Sequence, residues 1–237
     1  MNAKELEKAQ NEISDAIYAR AKELGFDKAP ITDGVCDFEG YLNSNPKVMW
    51  ILKEPNGQFS NGELENGGWS IVEEAFRNDL DGVGKIPSWQ PIIYVMYGYL
   101  SGRLYEDMDF IRDNLEMAKV LQKIAYLNVS KMPGYSVSYK NNIEQYYTQW
   151  RPILDRQIET YTPDVIIFGY TFDHFRGYFE KQGLEKINNF PGWIDVYKSG
   201  KRILFDAYHP ARKGREYVDT LISALKKIFS NQIVGFL

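Results

Sequence analysis

The sequence predicts an α/β fold, a three-layer α/β/α sandwich around a central four-stranded, mainly parallel sheet. Four apolar runs begin near residues 47, 124, 164 and 202, with helical patterns between them. Three of these runs show almost no polar alternation, as strands covered on both faces should. The chain of 237 residues carries no internal repeat, low-complexity tract or linker. One domain is therefore expected over 1–237, with 1–46 as an N-terminal helical extension.

Each element follows from its own pattern. Residues 3–24 place Leu6, Ala9, Ile13, Ala16, Ile17 and Leu24 at helical spacing, and Gly25 follows as a stop. Residues 26–46, with Pro30, Gly34 and Pro46, read as irregular. "KVMWILK" (47–53) is a buried strand, followed by a Gly- and Asn-rich loop to about 68. "WSIVEEAFRNDL" is a helix with Ser70 as its cap, and 87–102 is an apolar helix with Pro91 in its first turn. "DFIRDNLEMAKVLQK" predicts another helix, leading into the strand "IAYLNV" (124–129) and the loop "KMPGYSVSYKNN". Residues 142–161 keep Ile143, Tyr147, Trp150, Leu154, Ile158 and Tyr161 on one helical face, with Pro152 as a kink or a break. "PDVIIFG" (163–169) is the third buried strand, and "TFDHFRGYFEKQG" opens a short helix. "WIDVYKSGKRILFDAYHP" is a hairpin turning at Ser199-Gly200. "REYVDTLISALKKIFS" is a last helix.

Composition narrows the function. The formal net charge is −4, which gives no global signature of a nucleic-acid binder and leaves room only for a local basic patch. A single cysteine, Cys36, excludes a disulfide framework and any cluster that needs several thiolates. No run approaches the roughly 18 apolar residues of a membrane span, and "MNAKELEKAQNE" has no apolar signal core, so a cytoplasmic location and no membrane partner are expected. The aromatic share of 15% includes 17 tyrosines, residues that serve equally in cores and on ligand-contacting surfaces.

In open α/β sheets, ligands bind beyond the carboxyl ends of the strands. The first strand delivers Lys53, Glu54, Pro55, Asn56, Gly57, Gln58 and Phe59 there. The second delivers Asn128, Ser130 and Lys131, the third Gly169, Tyr170 and Thr171, and the fourth Tyr208, His209, Pro210, Ala211 and Arg212. A carboxylate, an amide, an imidazole, aromatic rings and cations thus converge on one edge. No Walker loop, zinc-spaced His/Cys set or serine elbow is present, which removes the commoner chemistries of such sheets.

The ordered segments resemble the uracil-DNA glycosylase superfamily. "LKEPNG" is similar to the family's first motif, with Pro55 matching its proline and Glu54 standing where one version has Asp. "AYLNVSKMPG" resembles the family strand carrying Asn-x-x-Lys or Asn-x-x-Cys and a proline, and "YHPAR" matches a final His-Pro-Ala at His209, Pro210 and Ala211. "QIETYTPDVIIFGYTF" resembles the intervening helix, proline, strand and glycine. The chain departs from the pattern at Leu52, Lys53 and Asn56, and it lacks the cysteines of the iron–sulfur members, so no cofactor and no metal are expected.

The resemblance implies hydrolysis of the N-glycosidic bond of uracil or another damaged base in DNA, the base-excision step of repair. Such cleavage builds positive charge on the sugar and negative charge on the departing base. Glu54 and His209 fit those two ends of the breaking bond. Asn128, Phe59, Lys131, Asn56 and Gly57 would hold the extracted base, with Phe59 stacked on its face. Arg212, Lys213 and Arg215 would hold flanking phosphates. Two other readings stand beside it: a non-catalytic module that keeps the fold and the base pocket and binds a nucleotide or nucleic acid, and a protein-interaction domain whose aromatic surface meets another protein. In the plainest structural alternative, Glu54 pairs with Lys53 on a solvated rim and His209 serves the fold.

Overall fold

Val48–Leu52 (β2) is buried at every residue and sits near the middle of the sheet, as a strand of five consecutive apolar side chains must. The computed structural model describes residues 1–57, 59–60, 63–64, 67–134 and 140–229, with only the backbone of 59–60, 63–64 and 140–141. Parallel partners of β2 are Ala125–Asn128 (β5), in register from Met49↔Ala125 to Leu52↔Asn128, and Val165–Gly169 (β6), from Val48↔Val165 to Ile51↔Phe168. Arg202–Ala207 (β9) continues the parallel set beside β6, from Val165↔Ile203 to Gly169↔Ala207.

The sheet has seven strands rather than the four expected. Antiparallel Ile194–Ser199 (β8) and Leu184–Phe190 (β7) extend it beyond β9, and Gly34–Val35 (β1) closes the other side against β5, giving the order β1-β5-β2-β6-β9-β8-β7. The sequence hides β7 because only one of its faces meets the protein: "LEKINNF" has no buried residue, and its register shifts between Lys186 and Asn188. Two residues of β1 are too few to leave a periodic trace. The Gln10 side chain holds β1 in place, its amide donating to the Val35 carbonyl (3.0 Å) and accepting the Val35 N–H (2.7 Å). A separate ribbon pairs Phe59–Ser60 (β3) with Glu63–Leu64 (β4).

Strand alternation sends side chains to two cores, one on each face. Val48, Trp50 and Leu52 point into a core shared with Gln90–Ser101 (α4) and Arg215–Phe229 (α7). Met49 and Ile51 point into the other, formed with Ala3–Glu23 (α1), Lys140–Tyr161 (α5) and Phe172–Glu180 (α6). Trp50 and Trp150, one in each core, are fully buried, and each such side chain contributes roughly 1.5–3 kcal/mol or more relative to exposure. Helix α1 begins with a reciprocal cap between Asn2 and Glu5, and its buried stripe Leu6, Ile13, Ile17 and Ala21 faces α5. Pro152 lies inside α5, which runs unbroken in secondary structure. Among the described residues no helix is long and apolar enough to cross a membrane.

Three local readings change. The expected helix over 109–123 is a 3₁₀ segment at Leu115–Lys123 only. Upstream, the Asn114 side chain donates to Asp109 (2.9 Å), the local bonding by which Asn and Asp compete with helix. "SIVEEAFR" is helical behind its Ser70 cap, but Ile71–Arg77 winds as a π-helix. Residues 26–46, read as irregular, contain β1 and the short helix Phe38–Leu42 (α2), capped by Asp37. Leu80–Lys85 (α3) and a 3₁₀ turn at Tyr105–Asp107 are further helical segments among the described residues. Parts of the loops expected after Gly57 and Lys131, namely 58, 61–62, 65–66 and 135–139, lie outside the described residues, as does the final residue, 230, of the last predicted helix.

Candidate functional site

The four parallel strands release their chains at one edge, and backbone bonds tie the exits together. Val129 N–H donates to the Leu52 carbonyl and Ser130 N–H to the Lys53 carbonyl, both at 2.9 Å, so the pairing of β2 with β5 continues past the strands. Further out, Gly57 N–H donates to the Gly134 carbonyl and Gly134 N–H to the Pro55 carbonyl, again at 2.9 Å. The "EPNG" turn is therefore pinned to the loop that follows Asn128. Gly134 has to be glycine: a Cβ there would collide with the Glu54 side chain. That close approach packs Glu54 against the loop that follows β5. Across the turn, Tyr146 of α5 feels the Glu54 charge, which together with burial raises its phenol pKa.

On the other side of β2, Gly169 provides a second close approach. A Cβ at Gly169 would run into Leu52 and meet Pro210 at 3.1 Å. The His-Pro step after β9 thus rests directly on the exits of β6 and β2. His209 and Glu54 follow strands two positions apart, a separation of roughly 10 Å at the spacing of neighbouring strands.

His209 is half-buried, and Ala211 N–H donates to its Nδ1 at 3.2 Å. Burial first, then the charges of Lys53 and Lys213, push its pKa down to about 4. A neutral imidazole that accepts at Nδ1 carries its proton on Nε2, where it serves as a donor. The imidazole is therefore expected to stay neutral through pH 5–8. Titration followed by NMR of the ring protons checks this: a His209 midpoint near 4 is the expected result, and one near 6.5 would contradict it.

Asn128 ends β5 with 1% of its surface exposed. Its backbone N–H donates to Asp33 at 2.8 Å. It shares its face of β5 with Tyr126, whose hydroxyl is nearby. Burial raises the Tyr126 phenol pKa and the Asn128 amide opposes that larger effect, so that hydroxyl is a partner for it, and the amide's remaining hydrogen-bonding capacity is open to a base edge or to water.

Lys131 is placed differently from the exposed ligand-holding cation that the sequence suggests. It is fully buried, and its ammonium donates to both oxygens of Asp33, at 2.8 and 2.7 Å. Burial pushes its pKa down, and Asp33 opposes that shift. Gln157 of α5 donates to the same carboxylate at 2.7 Å, so Asp33 collects Lys131, Gln157 and the Asn128 backbone. This buried cluster sits directly behind the exit of β5 and fixes the residues that Asn128 precedes.

The remaining residues divide. The backbone of Asn56 bridges to Gly134 and Gly57 is buried, so this pair shapes the turn. The Phe59 side chain lies outside the described residues. Arg212 is exposed and holds a left-handed backbone at φ +60°, its N–H donating to the Pro87 carbonyl at 3.2 Å. Lys213 lies over the rings of Tyr208 and Trp193, at 5.6 and 5.8 Å. Arg215 is held by Glu106 (2.7 Å) and Asp219 (3.3 Å), which compete with any phosphate for it. Lys53 reaches over the Tyr170 ring at 4.8 Å. Asp33 and Tyr146 were missed from the sequence; the signal for Asp33 is faint, a lone Asp-Gly inside a stretch read as irregular. No protein-family model matches this chain, and no curated protein matches it either.

Proposed function

We propose that the protein is a uracil-DNA-glycosylase-like hydrolase of the three-layer α/β/α type, which releases uracil or another damaged base from DNA. The observation that carries this reading is the half-buried His209, held on the Gly169 step with its Nδ1 accepting from Ala211 N–H, at the edge where Glu54 and Asn128 also emerge. Cleavage breaks the bond between the base nitrogen and C1′, and the electron pair leaves with the base. The Nε2–H of His209 would donate to the base oxygen on which that charge accumulates. Because its pKa is near 4, the ring stabilises the anion as a hydrogen-bond donor without giving up a proton. The Glu54 carboxylate would stabilise the cationic sugar and orient water toward C1′. Water supplies the hydroxyl of the abasic sugar, and the one proton it gives up neutralises the departed base. The Asn128 amide would pair with the edge of the extracted base. DNA is the partner in this reading, and Lys213 and Arg212 stand where flanking phosphates would pass.

The test is formation of abasic sites under single-turnover conditions, with protein in excess over DNA carrying uracil or one of a broad panel of lesions. Release of at least one base supports the reading. If nothing is released and nucleic acid still binds, the non-catalytic binding module replaces it. The net charge of −4 does not attract a polyanion and so favours the two non-catalytic readings, the binding module and the protein-interaction domain, over the hydrolase.

A further inference from the structure

Beside the Glu54–His209 edge, at the exits of β6 and β9, lies a cavity of about 360 Å³. Tyr170, Tyr208, Trp193, Asn189, Asp206 and Lys53 contribute to its wall. We propose that this cavity is a subsite for one unpaired, amino-bearing nucleobase of a single-stranded nucleic acid. The proposal takes its polymer from the preceding reading; the subsite itself rests on residues outside the cleavage chemistry.

The first support is the aromatic rim. Tyr170 and Tyr208 are 55% and 47% exposed, unusual for rings of that size, and they lie nearly parallel, 13° apart with centroids at 6.2 Å. Tyr170 is held there at φ +63°, a conformation that costs a non-glycine residue energy. Its N–H donates to both the Phe168 and Ala207 carbonyls, which maintain the strained turn. Burial does not explain keeping a tyrosine at this position, because the ring stands in solvent. Stacking a planar ligand does.

Cations alternate with these rings. Lys53 lies over Tyr170, and Lys213 over Tyr208 and Trp193. Aromatic faces interleaved with lysines are the arrangement by which proteins hold a single strand, its bases on the rings and its phosphates on the ammonium groups.

The choice of base comes from the acids. Asp195 is taken by Lys186 at 2.8 Å and Asp173 by Arg176 at 3.4 Å. Asp206, on β9 beside Asp195, has no ion pair within the described residues. Burial first, then the charges of Asp173 and Asp195, push the Asp206 pKa up to about 6, so at pH 8 it is ionised and only accepts hydrogen bonds. It matches the exocyclic amino group of adenine, cytosine or guanine, which thymine and uracil lack. The volume falls in the usual range for small-molecule sites, roughly 300–1,000 Å³, and is ample for a single base.

Fluorescence anisotropy with labelled ten-nucleotide single strands of dA, dC or dT, at low salt and pH 8, tests the proposal. The dA and dC strands are expected to bind roughly fivefold or more tightly than dT. Asp206→Asn, nearly isosteric, is expected to bring the three within about twofold of one another. Tyr208→Ala is expected to weaken all three by roughly fivefold or more, the loss of one stacked base. Thermal melting by circular dichroism establishes that each variant is folded. Equal affinity for the three strands, no binding to any, or a preference that survives Asp206→Asn each overturns the subsite. Abasic-site formation is scored separately: base release without strand preference sinks the subsite alone, and preference without base release sinks the hydrolase reading alone.

Discussion

His209→Ala is expected to slow single-turnover base release by roughly 10²-fold or more while leaving DNA affinity largely intact. The imidazole meets the departing base only as its negative charge develops, so its removal raises the barrier more than it weakens the ground-state complex. Glu54→Gln is expected to cause a similar loss, because a neutral amide keeps the shape and forfeits the charge facing the sugar. The measurement is the first-order rate of abasic-site formation beside a binding titration for each variant. A loss confined to affinity would place His209 in recognition rather than in chemistry. Unchanged rates for both variants would remove the proposed mechanism.

The second large effect concerns stability. Lys131→Met is expected to cost about 3–5 kcal/mol, because it leaves the Asp33 carboxylate buried beside Gln157 and the Asn128 amide with no countercharge. Equilibrium urea unfolding reads this as a lower midpoint. The double variant Asp33→Asn with Lys131→Met is expected to recover a substantial part of the loss, since it removes the stranded charge. A single variant as stable as the double would mean that the ion pair contributes little. The same ion pair bears on the site, because Asp33 receives the backbone N–H of Asn128. Losing it should also loosen the exit of β5 and lower activity in whatever fraction of Lys131→Met remains folded.

The fold was legible where burial on two faces leaves a mark. "VMWIL" and "VIIFG" have every residue buried, and an unbroken apolar run of that length has few other homes. β7 escaped because an edge strand with one solvated face may carry Glu185, Lys186, Asn188 and Asn189 without penalty. The position of the candidate site was legible for a topological reason: the residues following each strand of a parallel set must emerge together. Its interior was not. Asp33 and Lys131 are 98 residues apart in sequence, and nothing local to either announces the other. Lysine is so rarely buried that its sequence reading defaults to an exposed ligand contact; only the three-dimensional neighbourhood reveals a countercharge. Tyr146 likewise sits on a helix face of ordinary pattern, and its relation to Glu54 exists only once α5 is laid beside the turn.

The two bonds from Gln10 to Val35 have a consequence for how copies of this protein meet. A terminal strand normally offers a row of free N–H and C=O groups onto which another chain can add, the first step toward aggregation. At β1 a side-chain amide from α1 occupies the donor and the acceptor of Val35 together, standing in for the neighbour that a foreign strand would supply. The opposite border is guarded by other means: its register shift and the exposed charges of Glu185 and Lys186 make β7 a poor template. Both margins of the sheet thus discourage intermolecular strand addition, and the protein can keep its aromatic surface at the strand exits without also presenting a sticky border.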